Sequence, residues 1–518
     1  MSQGNEKQGF LYRIIKGIEV AGNKLPHPFW LFMGFWVLVY ILSAVFAGAQ
    51  VVKPGTDKTV QIINLISREG LDWQLRNMVK NFSSFPPLGL VLVMMIGLGV
   101  TTKSGFLEAL MKSIAKVPEK FLIFAVFLFG ICGNLASDAA IVIVPPLTGA
   151  LFFSMRKNPI FGLVLGYAAV CSGFTANLFI AGTDVLLSGI STTAYQIVVP
   201  GGEVYPTANY FFMVASTLVI SSLGTIFVSK FMMPSFGAWD EKFDTCEAAL
   251  ESSGSSDSTN DFAISKEEGR AFKSALWFTL LYWAFMLAMV LIPGGPLRDP
   301  AKNTIIPSPF IKGMVPLMLL YFILVGVVYG RKAGTIRNAK DMIDSMVASV
   351  GHMASYIVII LPIANFIAAF KKSNMAIVMA VKLAGWLQDM GLTGFGLLVA
   401  IILLSTFVNL FVTSGSTKWA FMAPVIIPML YYLNYSPQLA QLLYRIGDSS
   451  TNSITPMMPY FPILLGFAAR YDKEAGIGTI VSLGLPISIF FMVVWIALLA
   501  IWYLLGLPLG PGAGIFVN

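Results

Sequence analysis

Between residues 409 and 456 the chain reads NLFVTSGSTKWAFMAPVIIPMLYYLNYSPQLAQLLYRIGDSSTNSITP. Apolar runs long enough to cross a bilayer lie on either side. Inside it sit a polar knot at 413–419 and then Arg445, Asp448, Ser449, Ser450, Thr451 and Asn452. One Arg, Lys or Asp at mid-depth costs about 2.5–3.5 kcal/mol even on the milder insertion scale. Backbone leaves the helix at that depth only where protein or a wet cavity covers it. Polar sequence this dense, in this setting, marks a site.

The rest of the chain supports a membrane setting. Of its 518 residues 56% are hydrophobic and 12% charged, where a soluble protein of this size carries about 25% charged. The net charge of +8 does not call for nucleic acid, because the basic residues gather in short loops as membrane topology requires. Cys132, Cys171 and Cys246 form no CxxC; two lie in apolar segments, where cysteine packs as a small hydrophobe. With only His27 and His352, no GxSxG and no HExxH, nothing assembles a nucleophile with a base, so the chain reads as a non-enzyme without a cofactor. GLGVTTKS at 97–104 is no phosphate loop, since Thr102 stands where Gly must precede Lys. Residues 1–27 lack the apolar core of a cleaved signal, and 28–50 is long enough to anchor.

Further spans are expected at 86–102, 160–185, 208–233, 275–293, 310–330, 354–370 and 478–505. Residues 51–84 read as a polar loop, GFLEALMKSIAKV and 374–390 as interfacial amphipathic helices, and the acidic, Ser-rich 236–272 as a flexible connection. The domains are therefore an N-terminal half, 1–235, this connection, and a C-terminal half, 273–518. Residues 158–229 and 474–518 carry no Lys or Arg. Clusters at Arg13/Lys16, Lys112/Lys116/Lys120, Arg156/Lys157, Arg331/Lys332/Arg337/Lys340 and Arg470/Lys473 are expected on the cytoplasmic side, with the N-terminus inside and the C-terminus outside. Lys371/Lys372 and the basic residues of 51–84 are exceptions.

This topology makes 120–155 enter and return on the cytoplasmic face, and 392–434 on the opposite face. Each is too short for two full spans. Each reads as a helix feeding a re-entrant hairpin, at about 134–155 and 409–434, followed by a broken helix at about 160–185 and 438–468. Asn134 and Asn177 are 43 positions apart, and so are Asn409 and Asn452. In both pairs Asn-Leu opens a Ser-rich turn, proline follows (Pro145-Pro146 in the first, interrupting its apolar run), and a Thr/Asn-rich break comes next. The expected fold is an all-α polytopic membrane protein, an inverted repeat with two opposed hairpins, which is the plan of secondary transporters.

The chain resembles the aminobenzoyl-glutamate transporter (AbgT) family almost end to end. The resemblance is carried by GNKLPHP at 22–28, NFSSFPPLG at 81–89, ASDAA at 136–140, GFTANLFIAGTDVLLSGIST at 173–192 and PSPFIKGMVPL at 307–317. It continues through SGSTKWAFMAP at 414–424, YRIGDSSTNSITPMMPYF at 444–461 and GLPLGPG at 506–512. It implies a homodimer in the bacterial cytoplasmic membrane, with the hairpins around an aqueous bowl. It further implies Na⁺- or H⁺-coupled movement of p-aminobenzoyl-glutamate, or, as in some members, export of sulfonamide antimetabolites. Transport residues carried over from the family fall on Asp184, Ser416, Trp419, Pro437, Arg445 and Asp448. Cation coordination is implied around Asn409 and Asp448, and Lys418 is a departure from the pattern.

The residue chemistry fits such a cargo. Arg445 offers a fork for a carboxylate, or pairs with Asp448 three residues on. Lys418 holds a second carboxylate, or snorkels to the interface. Trp419 stacks on the benzoyl ring or anchors at the interface. Pro424, Pro428 and Pro437 break helical hydrogen bonds and free carbonyls for an ion, or serve as ordinary kinks. Asn409, Asp448 and Asn452, with Ser414 and Thr451, supply oxygens suited to Na⁺; Asn134, Asp138 and Asn177, with Ser137 and Thr175, form a symmetry-related set. A buried carboxylate could carry a proton instead.

Overall fold

In hydrocarbon every backbone N–H and C=O needs a partner within the chain, and a helix supplies it locally. The computed structural model describes residues 26–517 apart from 55–57, 137, 249–264, 302, 306–307 and 456–457, and no side-chain placement is described at 115, 116, 136, 138 and 139. Arg13, Lys16, Ser137 and residues 249–264 of the expected flexible connection thus lie outside the described residues, as does the side chain of Asp138. The described residues are nearly all helical.

In chain order the helices are α1 (Pro28–Val45), α2 (Arg68–Ser83), α3 (Pro86–Ser104), α4 (Phe106–Lys112), α5 (Leu122–Cys132), α6 (Asp138–Ser154), α7 (Pro159–Cys171), α8 (Gly182–Tyr195), α9 (Tyr210–Phe227) and α10 (Lys266–Leu291). There follow α11 (Met314–Ala333), α12 (Ala339–Gly351), α13 (Ala354–Lys372), α14 (Met375–Asp389), α15 (Phe395–Asn409), α16 (Gly415–Tyr432), α17 (Pro437–Ser450), α18 (Phe461–Ala469) and α19 (Ile477–Leu505). By length and composition, seven helical stretches among the described residues are long and apolar enough to cross a membrane. The helices of the two hairpins and broken segments are shorter, 9 to 18 residues, against the roughly 20 that a full crossing needs. They stop at polar turns and continue beyond them.

The two sets of short helices form the centre. α6 packs on α7, α15 on α17, and α16 on both α8 and α17. Small residues permit these approaches. A Cβ at Gly447 of α17 would lie 2.3 Å from the Ile402 carbonyl of α15, and one at Gly166 of α7 only 2.2 Å from Thr148 Oγ1 of α6.

Four expectations change. Residues 51–84 hold an antiparallel hairpin, Gln50–Val52 against Thr59–Gln61, and then α2. Gln74 of α2 donates to Asn365 of α13 at 2.8 Å and accepts from Tyr40, so this polar segment is clamped to the helices. α4 is no surface float, for Phe106, Leu107, Ala109 and Met111 are buried, and it packs against α6. α14 likewise turns its apolar side onto α16. Finally, Pro145, Pro146, Pro424 and Pro428 lie within continuous helices, and Pro437 takes the first turn of α17. The first turn has no hydrogen bond for a proline to remove.

Candidate functional site

α7 ends at Cys171; a tight turn, Ser172–Thr175, and an extended stretch lead to α8. α17 ends at Ser450 and gives way to the turn Asn452–Ile454. A helix end leaves its last carbonyls without partners. Here each half supplies partners to the other. Asn452 Nδ2 donates to the Cys171 carbonyl at 3.2 Å, Ser172 Oγ to Ser453 Oγ at 2.9 Å, and Thr175 Oγ1 to the Arg445 carbonyl at 2.7 Å. Thr175 also shares a 2.6 Å contact with Ser449 Oγ. The two breaks are one hydrogen-bonded object.

Beside this junction lies the first ion pair. Asp184 caps α8 by accepting from Ala181 N at 2.7 Å, and its other oxygen receives Arg445 Nη1 at 2.6 Å. Arg445 Nη2 donates to the Phe174 carbonyl at 3.0 Å. Both side chains are buried, 3% and 1% exposed. The local pairing of Arg445 with Asp448 does not form; the guanidinium reaches into the other half instead.

Asp448 pairs with Lys418. The Lys418 ammonium also donates to Asn409 Oδ1. Asn409 Nδ2 faces the Asp448 carbonyl at 2.7 Å, Thr451 Oγ1 at 2.9 Å and Asn452 Oδ1 at 2.9 Å. These acceptors fix the amide orientation, since a flipped Asn409 would turn its NH₂ onto an ammonium. Tyr444 donates its hydroxyl to the Gly415 carbonyl and to Asp448 at 3.2 Å. Lys418 is 0% exposed, which rules out snorkelling, and its bonds go to protein groups rather than toward a cavity.

Trp419, also fully buried, stacks on Tyr444 with centroids 4.7 Å apart and donates its Nε1 hydrogen to Ser191 Oγ at 2.9 Å. It is therefore no interfacial anchor, and a protein ring covers one face. Ser191 donates in turn to Gln441, whose amide nitrogen reaches Asn209. Pro437 stands apart from the ion pairs, roughly 12 Å before Arg445 along α17.

A cavity of about 280 Å³ lies at the N-terminal end of α16, near the lower limit of ligand-sized pockets, roughly 300 Å³. Ser414, Ser416 and Thr417 form one wall; Leu186 and Ile190 of α8, Phe85, His352 and Tyr356 form the others. Ser416 is thus the one carried-over transport residue on the cavity wall. A helix N-terminus facing a cavity favours an anionic group there.

The symmetry-related turn is chemically different. Asn134 donates Nδ2 to the Ile131 carbonyl, but its Oδ1 is buried and receives no hydrogen bond among the described residues. Asn177 accepts from Phe179 N at 3.1 Å. With Asn134 set on Asn409 and Asn177 on Asn452, Ile143 falls at the place of Lys418 and Gly173 at that of Asp448. Among the described residues this turn carries no matching ion pair.

Tyr444, Ser191 and Gln441 are the participants that motif reading passes over. A signal was present. Gln441, Arg445 and Asp448 follow at steps of four and three, and so do Asp184, Ser188 and Ser191; each series is one polar face of a helix.

A profile of the AbgT transporter family matches residues 13–517. The p-aminobenzoyl-glutamate transport protein of Escherichia coli (strain K12) is 39% identical over 502 residues, 96% of this chain and 95% of that one. Among solved structures, the YdaH transporter of Alcanivorax borkumensis superposes with a TM-score of 0.85 at 36% identity, over 94% of this chain and 100% of that one. MtrF of Neisseria gonorrhoeae, described within a class of antimetabolite efflux pumps, superposes with a TM-score of 0.89 at 38% identity, over 97% and 100%.

Proposed function

The chain belongs to the AbgT family of transporters, and from that premise we propose that it is a secondary active transporter of p-aminobenzoyl-glutamate, driven by a Na⁺ or H⁺ gradient. The observation that carries this reading is the buried Arg445–Asp184 pair, 2.6 Å long, joining the broken helix of one half to that of the other. A guanidinium so placed is a carboxylate receptor. A dicarboxylic cargo takes Asp184's place on Arg445, and that exchange loosens the bond between the halves as the cargo is gripped. The cavity beside Ser416 receives the aromatic end, with apolar walls for the ring and the α16 N-terminus for a negative group. The E. coli relative, 39% identical across nearly the whole chain, supports the choice of cargo.

The rest of the reading follows the family. The protein works as a homodimer in the cytoplasmic membrane, N-terminus inside, with halves at 1–235 and 273–518. Asp184, Ser416, Trp419, Pro437, Arg445 and Asp448 serve transport, Trp419 by holding Tyr444 and α17 in register. A second cargo class, sulfonamide antimetabolites moved outward, is supported by the likeness to MtrF; its aromatic amine resembles one end of p-aminobenzoyl-glutamate.

Proteoliposomes holding the purified protein, loaded or bathed with radiolabelled p-aminobenzoyl-glutamate under separate Na⁺ and proton gradients, test the proposal. Saturable flux that one gradient accelerates is expected. Absence of gradient-dependent flux for this compound and for sulfonamides would overturn it, and competition between the two compounds shows whether they share a site.

A further inference from the structure

A coupling Na⁺ at the C-terminal turn would need the oxygens of Asn409, Asp448 and Asn452. The side chains present there do not fit one. Asn409 Oδ1 and Asp448 Oδ1 both accept from the Lys418 ammonium. Asn452 Oδ1 and Thr451 Oγ1 point at Asn409 Nδ2, each at 2.9 Å. Asn409 Oδ1, Asp448 Oδ1, Asn452 Oδ1 and Thr451 Oγ1 each already face a donor.

We propose that Lys418 is the resident cation of this turn: its ammonium, tethered to α16, takes the place between Asn409 and Asp448 that a free Na⁺ would require, so the C-terminal turn binds no Na⁺. Three features of the turn converge. The ammonium is fully buried, so it is not a surface charge that solvent screens. Its contacts join three separate elements, α16 to the ends of α15 and α17, which is the joining role a bound ion plays at a break. The tether is also confined to this half, because Ile143 stands at the matching position of the other. A permanent tethered cation keeps the hairpin helix docked without an ion from solution. The proposal rests on the transporter reading only in treating the turn as a coupling position.

The test compares the purified full-length wild type with Lys418→Met, Lys418→Gln and Lys418→Arg, following thermal unfolding in detergent as Na⁺ replaces choline at constant ionic strength. Removing the ammonium leaves Asp448 and Asn409 in need of a cation. The Met and Gln variants should therefore gain a saturable Na⁺ stabilisation that the wild type lacks. Adding Asn409→Ala to either should erase the gain, and the Arg variant should behave as the wild type does. Equal responses in wild type and Lys418→Met, whether both present or both absent, would overturn the proposal. So would a gain that survives Asn409→Ala. A measurement on the wild type alone covers the case in which the variants do not fold. Amine labelling read by mass spectrometry should leave Lys418 unmodified in Na⁺ and in choline, whereas labelling that rises with Na⁺ would show the ion displacing the ammonium. None of these readouts involves cargo, so a failure to move p-aminobenzoyl-glutamate leaves them intact and can be told apart.

Discussion

The two turns at the centre of the molecule share a sequence plan and differ in electrostatics. At the C-terminal turn Asn409 has all its hydrogen-bonding capacity engaged, and Lys418 and Asp448 close a buried pair beside it. At the N-terminal turn Asn134 keeps a buried oxygen without a donor among the described residues, and Ile143 and Gly173 stand where the charges would be. Two copies of one supersecondary plan have thus divided the work. One is internally neutralised and braced. The other offers an acceptor, and its broken helix supplies Asp184, the carboxylate that Arg445 of the braced half reaches across to hold.

The largest way to break this contrast is Asp448→Asn. It leaves the Lys418 ammonium buried without its carboxylate, and removing one partner of a buried pair costs about 3–5 kcal/mol. Thermal unfolding should show that loss, and coupled flux should vanish. The double variant Lys418→Met with Asp448→Asn should recover most of the stability, since a neutral, similarly filled site avoids the unpaired charge. Recovery of stability without recovery of flux is expected.

Next in size is Arg445→Lys. A lysine keeps the charge but cannot reach both Asp184 Oδ1 and the Phe174 carbonyl as the guanidinium does. Losing a charge-assisted hydrogen bond costs about 1.5–3 kcal/mol. On the proposed mechanism the affinity for p-aminobenzoyl-glutamate falls at least about tenfold, the equivalent of about 1.4 kcal/mol. An unchanged affinity in equilibrium binding would make the pair a strut and not a receptor.

How much of this was legible beforehand follows the range of the interactions. The breaks were legible, because polar residues at 134–138, 171–184 and 445–452 cannot sit in uninterrupted lipid-facing helices, and the 43-residue spacing tied them together. The partners were not. Asp448 lies three residues from Arg445, within the reach of helical spacing, but Asp184 lies 261 residues away and meets it only because two broken helices cross. For the same reason Lys418 read as a snorkelling or cargo-binding residue, although its acceptors come from α15 and α17. For the prolines, Pro145, Pro146, Pro424 and Pro428 lie inside helices that continue past them, an outcome that local sequence does not distinguish from a break. Residues 51–84 misled because a clamped segment that bonds through Gln74 is as polar as a free loop.

The contrast between the turns sharpens with a matched pair of smaller changes, Asn409→Ala and Asn134→Ala. The first strips the ammonium of an acceptor and three buried acceptors of their donor, and should cost about 1–3 kcal/mol. The second removes one bond to the Ile131 carbonyl and should cost at most about 1 kcal/mol. Denaturation of both variants in choline and in Na⁺ decides the matter. An Asn134→Ala cost that matches Asn409→Ala only in Na⁺ would show that the buried oxygen of the N-terminal turn coordinates the ion.

The smallest expected effect belongs to a second lysine–aspartate pair, which isolates what burial contributes to the first. Lys242 Nζ lies 2.9 Å from Asp472, on the connecting segment and the α18–α19 loop respectively; the lysine is half exposed and the aspartate partly buried, 49% and 18% exposed. Partial burial works to raise the Asp472 carboxyl, but the Lys242 hydrogen bond, the Glu474 amide and the lysine's charge together hold it below the ordinary carboxylate range. The hydrogen bond to Asp472 raises Lys242, against a smaller opposing desolvation. A depressed carboxyl contributes stability above its unfolded value, about 3.9, and loses it as pH falls through the lower folded value. A raised lysine contributes below its unfolded value, about 10.4, and loses it as pH climbs past the folded one. Between these limits Lys242→Ala should cost under about 1 kcal/mol, the usual worth of a pair whose lysine is open to solvent, with no effect on cargo affinity. Were it to cost as much as Asp448→Asn, burial would not be what distinguishes the Lys418 pair, and the braced turn would owe its stiffness to packing alone.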